Sequence, residues 1–297
     1  MAKENITAYL SFRWRALLFS IGVAIALSGC VSSALEKSNN IAKDGRMDFI
    51  KISTSLFTLA SYQRIHNPVQ SLHIYIEGDG KAWLSRTQPS TDPTPNEPTA
   101  LRLAALDPAA NVVYLARPCQ FIPMAENPQC HSSYWTGKRF SPEVIQAMSE
   151  AITQIKQRTH IEHIVLVGYS GGGALAALLA ERRDDIISLR TVAGYLDVEY
   201  ANTLHHVSPM PDSLNPIDYT SGLAALAQIH FSGGNDTAIP PVVAQRFVAR
   251  VGERCARQIT VAGMTHRGPW ETRWSQLLTI PPACTGQPLA HSLNNDE

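Results

Sequence analysis

The sequence lacks an excess of charge of either sign. Its 297 residues include 25 lysines and arginines and 25 aspartates and glutamates, and only 17% of all residues are charged. Because nucleic acids and anionic membrane surfaces attract strongly basic proteins, this balance argues against either as the main partner. With 44% hydrophobic residues, the chain is expected to form one sizeable globular domain without help from metals or partners.

Long hydrophobic runs and metal-binding patterns are also missing. The apolar run at residues 16–27 is too short to span a bilayer comfortably. Cysteine is scarce, with five residues in the chain. Cys119 and Cys130 lie near His131, but their spacing is not that of a zinc site. No metal site is therefore predicted.

The stretch from residue 164 to residue 176 carries the clearest functional signal. β-Branched and apolar residues lead into Gly-Tyr-Ser-Gly-Gly at 168–172, and an alanine- and leucine-rich segment follows. This order predicts a strand, a sharp turn and a helix, as in a nucleophile elbow, with Ser170 as the candidate nucleophile. The flanking glycines leave room where strand and helix cross. A glycine-rich turn would give the same spacing, so catalysis also requires a histidine and an acid.

Strands and helices are predicted to alternate along the chain. Apolar runs predict buried strands at 72–76, 111–116, 164–167, 186–193, 227–232 and 257–261. This alternation predicts an α/β fold with a doubly wound, mostly parallel sheet and helices on both faces. Residues 47–62 predict an antiparallel strand pair. The irregular segments 117–140 and 198–216 are expected to be loop insertions over the site.

Three polar residues each follow the end of a predicted strand. They are Ser170, Asp236 and His266, and sites in such folds collect at the carboxyl ends of the strands. Asp197 also follows a strand and remains an alternative acid. Asp236 is favoured because glycines at 233–234 free its turn to aim the carboxylate, and because the next helix begins at once.

A serine nucleophile also needs two backbone N–H groups aimed at the developing oxyanion. The N–H of Gly171, directly after Ser170, is assigned as the first donor. The N–H of Asp79 is assigned as the second, because the Glu-Gly-Asp-Gly loop at 77–80 follows a buried strand and its glycines allow close approach. An ordinary glycine turn is the alternative interpretation of this loop.

From about residue 71 to residue 278 the chain resembles an α/β-hydrolase. The resemblance lies in the elbow, in Gly-Asn-Asp ending at Asp236 and in Gly-Met-Thr-His ending at His266. Their order, serine, acid and histidine, is that of α/β-hydrolases. Glu77 departs from the pattern, since lipases and esterases often carry histidine there.

The resemblance implies an α/β-hydrolase fold and a serine hydrolase with a Ser170, Asp236 and His266 triad and no cofactor. The expected reaction is cleavage of a carboxylic ester, or a related acyl bond, in a small-molecule or lipid substrate. The same triad serves esters, thioesters and amides, so a peptidase or amidase remains open. A lipid-anchored binding protein without turnover also remains open, because fold does not establish function.

The N-terminus resembles the signal peptide of a bacterial lipoprotein. Basic residues precede the apolar run, which ends in Leu-Ser-Gly-Cys at 27–30. The resemblance implies that residues 1–29 are removed and that Cys30 carries the lipid anchoring the protein to the cell envelope. Val31 stands where an aspartate would retain such a lipoprotein in the inner membrane, so the outer membrane, facing the periplasm, is expected. An uncleaved membrane anchor is the alternative.

The mature chain is expected to have three parts. Residues 30–46 are polar and aperiodic and predict a flexible tether. The hydrolase domain spans 47–284, and residues 285–297 form a loose tail.

Four cysteines remain after lipidation, and an exported chain favours their oxidation. Of the three possible pairings, we expect Cys119 with Cys130 inside one loop, and Cys255 with Cys284. The second pair is expected because an antiparallel return of the last strand and helix brings their ends together.

Overall fold

The computed structural model describes residues 34–285. The predicted lipidation site Cys30 and most of the predicted C-terminal tail lie outside these residues. The described residues divide into two compact units, 34–40 and 41–285. Residues 34–44 form helix α1, although the polar composition predicts a flexible tether there. Alanine, leucine, glutamate and lysine at 34–37 are strong helix formers, which explains the difference.

One eight-stranded sheet forms the centre of the second unit. Its strands are β1 (Asp48–Ser53), β2 (Thr58–Ile65), β3 (Leu72–Ile76), β4 (Asn111–Leu115), β5 (Ile164–Tyr169), β6 (Ile186–Val192), β7 (Ala227–Gly233) and β8 (Ala256–Val261). The spatial order is β1-β2-β4-β3-β5-β6-β7-β8. β2 is antiparallel to both β1 and β4, and the other neighbours are parallel. The predicted doubly wound, mostly parallel sheet is therefore confirmed.

Six further helices connect or follow these strands. They are α2 (Thr99–Ala105), α3 (Pro142–Thr159), α4 (Gly171–Arg182), α5 (Val198–Leu204), α6 (Pro241–Val251) and α7 (Glu271–Leu278). Across the sheet, the connection from β3 to β4 runs toward β1, whereas the connections from β4 to β5 and onward to β8 run toward the opposite edge. Because such crossovers are right-handed, α2 lies on one face of the sheet and α3, α4 and α6 on the other.

The middle of the sheet is buried on both faces, as expected for parallel strands covered by helices. Every residue of β4 and β5 is buried. The α4 helix is equally enclosed, since its first ten residues are all buried. A helix that is apolar all round suits such a central position. The carboxyl end of β5 and the start of α4 consequently lie in the buried centre of the domain.

Helix α5 was not predicted, since residues 198–216 were expected to be irregular. The helix exists because Asp197 lies at its start and accepts a hydrogen bond from the N–H of Tyr200 at 3.1 Å. An aspartate in this position satisfies one of the orphan N–H groups of a helix start. The prediction missed this cap because the helix is only seven residues long and has no clear apolar period.

The structure pairs the cysteines as predicted, Cys119 with Cys130 and Cys255 with Cys284. Among residues 34–285, no group of histidine, cysteine, aspartate or glutamate side chains is arranged to hold a metal ion. Within the same residues, no helix combines the length and the apolar character needed to cross a membrane.

Candidate active site

Ser170 lies in the sharp turn between β5 and α4 and has a left-handed backbone, with φ 51° and ψ −120°. Such a conformation is strained for a residue with a side chain and requires close support. The glycines around it provide the space. A Cβ on Gly168 would overlap the backbone of Gly172 and Gly173, and one on Gly172 would overlap the carbonyl of Ile76. The strand and helix therefore cross at a distance that only glycine permits.

The structure brings Ser170, His266 and Asp236 together in one hydrogen-bonded series. Ser170 Oγ and His266 Nε2 are 3.0 Å apart, and His266 Nδ1 and Asp236 Oδ2 are 2.9 Å apart. The Asp236 side chain is fully buried, while that of His266 is 21% exposed. These are the contacts by which a base takes a proton from a serine while a carboxylate orients the base.

Asp236 is itself held in place by its own turn. Its Oδ1 accepts hydrogen bonds from the N–H groups of Ala238, at 2.9 Å, and Ile239, at 2.8 Å. Oδ2 is left to face His266. Asp236 was favoured in the sequence because of the glycines before it and the helix that begins soon after it. In the structure these features form a short turn that holds the carboxylate in one orientation.

The carbonyl of His266 is fixed by two aromatic side chains that the sequence analysis did not identify. Tyr169 Oη donates to this oxygen at 3.0 Å and Trp270 Nε1 donates to it at 3.1 Å. Trp270 is fully buried. A tyrosine inside the elbow and a tryptophan four residues after the histidine therefore fix the loop that carries the imidazole.

The alternative acid, Asp197, has different partners. It is 2% exposed, caps α5, and accepts a hydrogen bond from Arg246 Nε at 2.7 Å. Both carboxylate oxygens are thus used away from His266. The structure places Asp236, and not Asp197, beside the imidazole.

The loop at 77–80 passes directly over the nucleophile. A Cβ on Gly78 would lie 3.3 Å from the Ser170 Cβ, and one on Gly171 would overlap the Asp79 carboxylate. The N–H of Gly171 belongs to a helix start, which offers no intrahelical acceptor. Within residues 34–285, the N–H of Asp79 donates to no backbone carbonyl. The two predicted oxyanion donors thus belong to neighbouring residues beside Ser170.

The Asp79 carboxylate is held between two arginines that the sequence analysis missed. Arg117 pairs with Oδ1, and Arg139 Nη1 lies 2.8 Å from Oδ2. Burial alone would raise the pKa of Asp79, but the guanidinium groups of Arg139 and Arg117 outweigh it and lower that pKa. Asp79 is therefore ionised and anchors its loop across the elbow.

Glu77 is the second acid of this loop and has an unusual environment. It is 1% exposed, and its Oε1 accepts hydrogen bonds from the N–H groups of Gly78 and Ala100 at 2.9 and 3.4 Å. Its Oε2 has no hydrogen-bond partner within residues 34–285. Burial raises the pKa of Glu77 to about 7. At neutral pH this carboxyl is only partly ionised.

Ser170 and His266 face a cavity of about 770 Å³. Most of its wall comes from the loop after β3 and from the start of α2, with Arg139, Ala238, Arg267 and Glu271 completing it. The predicted insertion at 117–140 contributes only Arg139 to the wall, and segment 198–216 contributes no described residue. The insertion instead packs against the strand pair, where Asn127 exchanges two hydrogen bonds with the backbone of Thr58 at 2.7 and 2.8 Å.

No family model matches the sequence, and no curated protein matches it either. Solved structures do resemble the fold. A bacterial membrane phospholipase A is 12% identical with a TM-score of 0.54, and the match covers 92% of this chain and 98% of that one. An esterase from Pyrococcus furiosus is 11% identical with a TM-score of 0.54, over 78% of this chain and 90% of that one.

A puromycin-hydrolyzing peptidase from Mycobacterium tuberculosis is also similar, with 11% identity and a TM-score of 0.55. The match covers 78% of this chain but only 37% of that one. Identities this low establish the fold alone. Together with the sheet order, they show that the chain has an α/β-hydrolase fold.

Proposed function

We propose that this chain is a serine hydrolase that cleaves a carboxylic ester, or a related acyl bond, through Ser170, His266 and Asp236. The observation that carries the proposal is the continuous hydrogen-bonded series from Ser170 Oγ through the imidazole to the buried Asp236 carboxylate. All three side chains lie at carboxyl ends of strands, and the first two open onto a cavity.

The proposed reaction begins with attack of Ser170 Oγ on the carbonyl carbon of the substrate. His266 Nε2 takes the hydroxyl proton as the new bond forms, and Asp236 stabilises the resulting imidazolium. The carbonyl oxygen becomes an oxyanion, which the N–H groups of Gly171 and Asp79 stabilise. The imidazolium then gives its proton to the leaving alcohol, and an acyl-enzyme remains. Water attacks this acyl-enzyme by the same steps, releasing the acid and restoring Ser170.

An ester is favoured over a peptide by the extent of the structural matches. The matches to the phospholipase and the esterase cover 98% and 90% of those chains, whereas the match to the peptidase covers 37%. A cavity of about 770 Å³ is large enough for a small-molecule or lipid acyl group. We therefore place small-molecule or lipid esters first and amides second.

The proposed location is the cell envelope, with Cys30 as the lipid-anchored residue of an outer-membrane lipoprotein that faces the periplasm. The support is the Leu-Ser-Gly-Cys pattern at 27–30 followed by Val31. The two disulfides of the domain are in keeping with an oxidising compartment.

A fluorophosphonate probe separates an enzyme from a binding protein of the same fold. We expect the purified protein to be labelled on Ser170 and to hydrolyse nitrophenyl esters, and Ser170→Ala to do neither. Absence of labelling in the folded wild-type protein would favour the binding protein. Turnover of peptide anilides without turnover of short esters would favour a peptidase.

The two aspartates provide a matched test of the acid. Asp236→Asn should lower kcat by about 10³- to 10⁴-fold, because the imidazole would adopt the wrong tautomer. Asp197→Asn removes a buried carboxylate of the same kind but should leave kcat nearly unchanged and lower stability, because Asp197 binds Tyr200 and Arg246. The opposite result in both variants would assign the role to Asp197.

A further inference from the structure

Arg139 lies in the cavity wall with its hydrogen-bonding capacity only partly used. Its side chain is 12% exposed and borders the same cavity as Ser170. Nη1 donates to Asp79, but Nε is shielded from solvent and has no hydrogen-bond partner within residues 34–285. An arginine has five N–H donors, and leaving a buried donor unpaired is costly. Within residues 34–285 the guanidinium donates one side-chain hydrogen bond, to Asp79, so the part of it that borders the cavity keeps donors for a ligand.

The charges around Arg139 do not balance. Arg117 and Arg139 share the single carboxylate of Asp79. Arg117 has partners besides Asp79, because it also donates to the carbonyl of Arg139 at 2.7 Å and lies 5.2 Å from the centre of the Phe140 ring. Glu77 offsets this excess only in part at neutral pH, since burial raises its pKa to about 7. Two guanidinium groups thus share one carboxylate beside the elbow, and Arg139 is the member of this cluster that borders the cavity with positive charge.

Arg139 is also held in a fixed orientation. Its guanidinium lies 5.4 Å from the ring centre of Phe140 and 5.2 Å from that of Tyr195. Stacking of this kind orients the planar fork of donors, which matches the geometry of a carboxylate or a phosphate. Asp79 lies against both Arg139 and Gly171. The guanidinium of Arg139 therefore contacts Asp79, which is one of the two residues proposed to supply an oxyanion donor, and Asp79 in turn adjoins the other.

We propose that Arg139 determines specificity by binding an anionic oxygen, of a carboxylate or a phosphate, that the substrate carries close to its scissile acyl bond. The inference rests on the proposed hydrolase function, since it assigns the substrate class of that same site. The anion would lie in the acid part of the ester or in its alcohol part, and both arrangements place negative charge beside the cavity wall.

Two matched substrate pairs distinguish these sources of the anion. Mono-nitrophenyl glutarate and nitrophenyl pentanoate differ by a carboxylate in the acid part. Hexanoylglycerol 3-phosphate and hexanoylglycerol differ by a phosphate in the alcohol part. For each pair, the measured quantity is the ratio of kcat/KM for the anionic ester to kcat/KM for the neutral one. We expect a ratio above one for at least one pair in the wild-type enzyme.

Arg139→Gln should lower that ratio by about 10- to 100-fold, which corresponds to the loss of a charge-assisted hydrogen bond. Arg139→Lys should restore part of the ratio, because the charge returns without the planar fork. Arg246→Gln is the matched control. It also removes an arginine that pairs with an aspartate and stacks on a tyrosine ring at 4.3 Å, but outside the cavity, and it should leave the ratio unchanged.

A merely structural role for Arg139 would lower kcat/KM for both members of a pair equally, and this result would overturn the inference. A wild-type ratio of one or less for both pairs would overturn it as well. In both cases Ser170-dependent hydrolysis of the neutral esters would leave the proposed function standing.

If no ester is hydrolysed, ligand binding is measured in place of turnover. Monomethyl glutarate and glycerol 3-phosphate are then titrated calorimetrically into Ser170→Ala and into Ser170→Ala with Arg139→Gln. Binding that requires Arg139 would support the inference while the proposed function fails. Absence of Arg139-dependent binding would overturn both.

Discussion

Glu77→Gln should make the protein more stable at pH 8 but change its stability little at pH 4.5. The carboxyl is 1% exposed, one of its oxygens has no hydrogen-bond partner within residues 34–285, and burial raises its pKa from 4.5 to about 7. Glutamine has the same length and keeps an acceptor for the N–H of Gly78, which now donates to Oε1. The substitution therefore removes a buried charge and little else.

The size of the effect follows from the two pKa values. Between pH 4.5 and 7 the native protein retains a proton on Glu77 that the unfolded chain has already lost. The contribution of Glu77 to stability therefore falls as pH rises through this interval and is constant beyond it. A shift from 4.5 to about 7, at about 1.4 kcal/mol per pKa unit, gives about 3 kcal/mol. The free energy of unfolding of Glu77→Gln, relative to wild type, should rise by this amount.

Urea unfolding at pH 4.5, 6 and 8, followed by tryptophan fluorescence, measures these free energies. Glu150→Gln is the control, because the pKa of Glu150 is shifted in the opposite direction to that of Glu77. Hydrogen bonds lower the pKa of the exposed Glu150 carboxyl, and the largest contribution comes from the N–H of Ser55, which donates to it at 2.7 Å. Glu150 therefore stabilises the protein above its ordinary pKa, and its replacement should matter less as pH falls. An effect of Glu77→Gln that is the same at all three pH values would refute the burial argument.

Three further predictions concern the elbow, a disulfide and the N-terminus. Gly168→Ala should cost about 1–3 kcal/mol of stability and most of the activity, because its Cβ overlaps the crossing helix, whereas Gly137→Ala, which meets no atom within 4 Å, should be near neutral in unfolding and ester assays. Removal of the Cys255–Cys284 disulfide by alanine at both positions should cost about 3.5 kcal/mol in urea unfolding, because the bond closes a loop of 29 residues. Cys30→Ser should abolish fatty-acid labelling and leave an unprocessed precursor; normal processing and membrane retention would exclude the lipoprotein signal.

The parts of the fold that the sequence predicted are those set by local pattern. Apolar runs of four to eight residues identified the parallel strands, because a central strand buried on both faces is apolar along most of its length. The catalytic candidates followed from these strands, since Ser170, Asp236 and His266 each come just after one of them. The choice of Asp236 over Asp197 depended on glycines and a helix start, and both features bear on how the turn aims its carboxylate.

The parts that the sequence did not predict depend on contacts between distant segments. Arg117 and Arg139 carry no motif, and they become significant only because both meet Asp79, which lies 38 and 60 residues away along the chain. The insertion at 117–140 was taken for a cover over the site because long irregular loops are often functional. It is instead fixed to β2 through Asn127, and Arg139 is the one described residue of the insertion that lines the cavity.

The residues that the sequence predicts and those that it does not predict have different roles in the proposed reaction. A catalytic triad needs specific side chains just after strand ends, so it leaves a recognisable pattern in the sequence. The same triad serves every acyl transfer that the fold performs. Substrate choice depends instead on the charges that line the cavity, and these come from separate loops. In this chain the loop that carries the proposed oxyanion donor Asp79 is itself fixed by the arginine proposed to select the substrate. The two proposals together predict that exchanging Asp79 alters both rate and specificity, whereas exchanging Arg139 alters specificity more than rate.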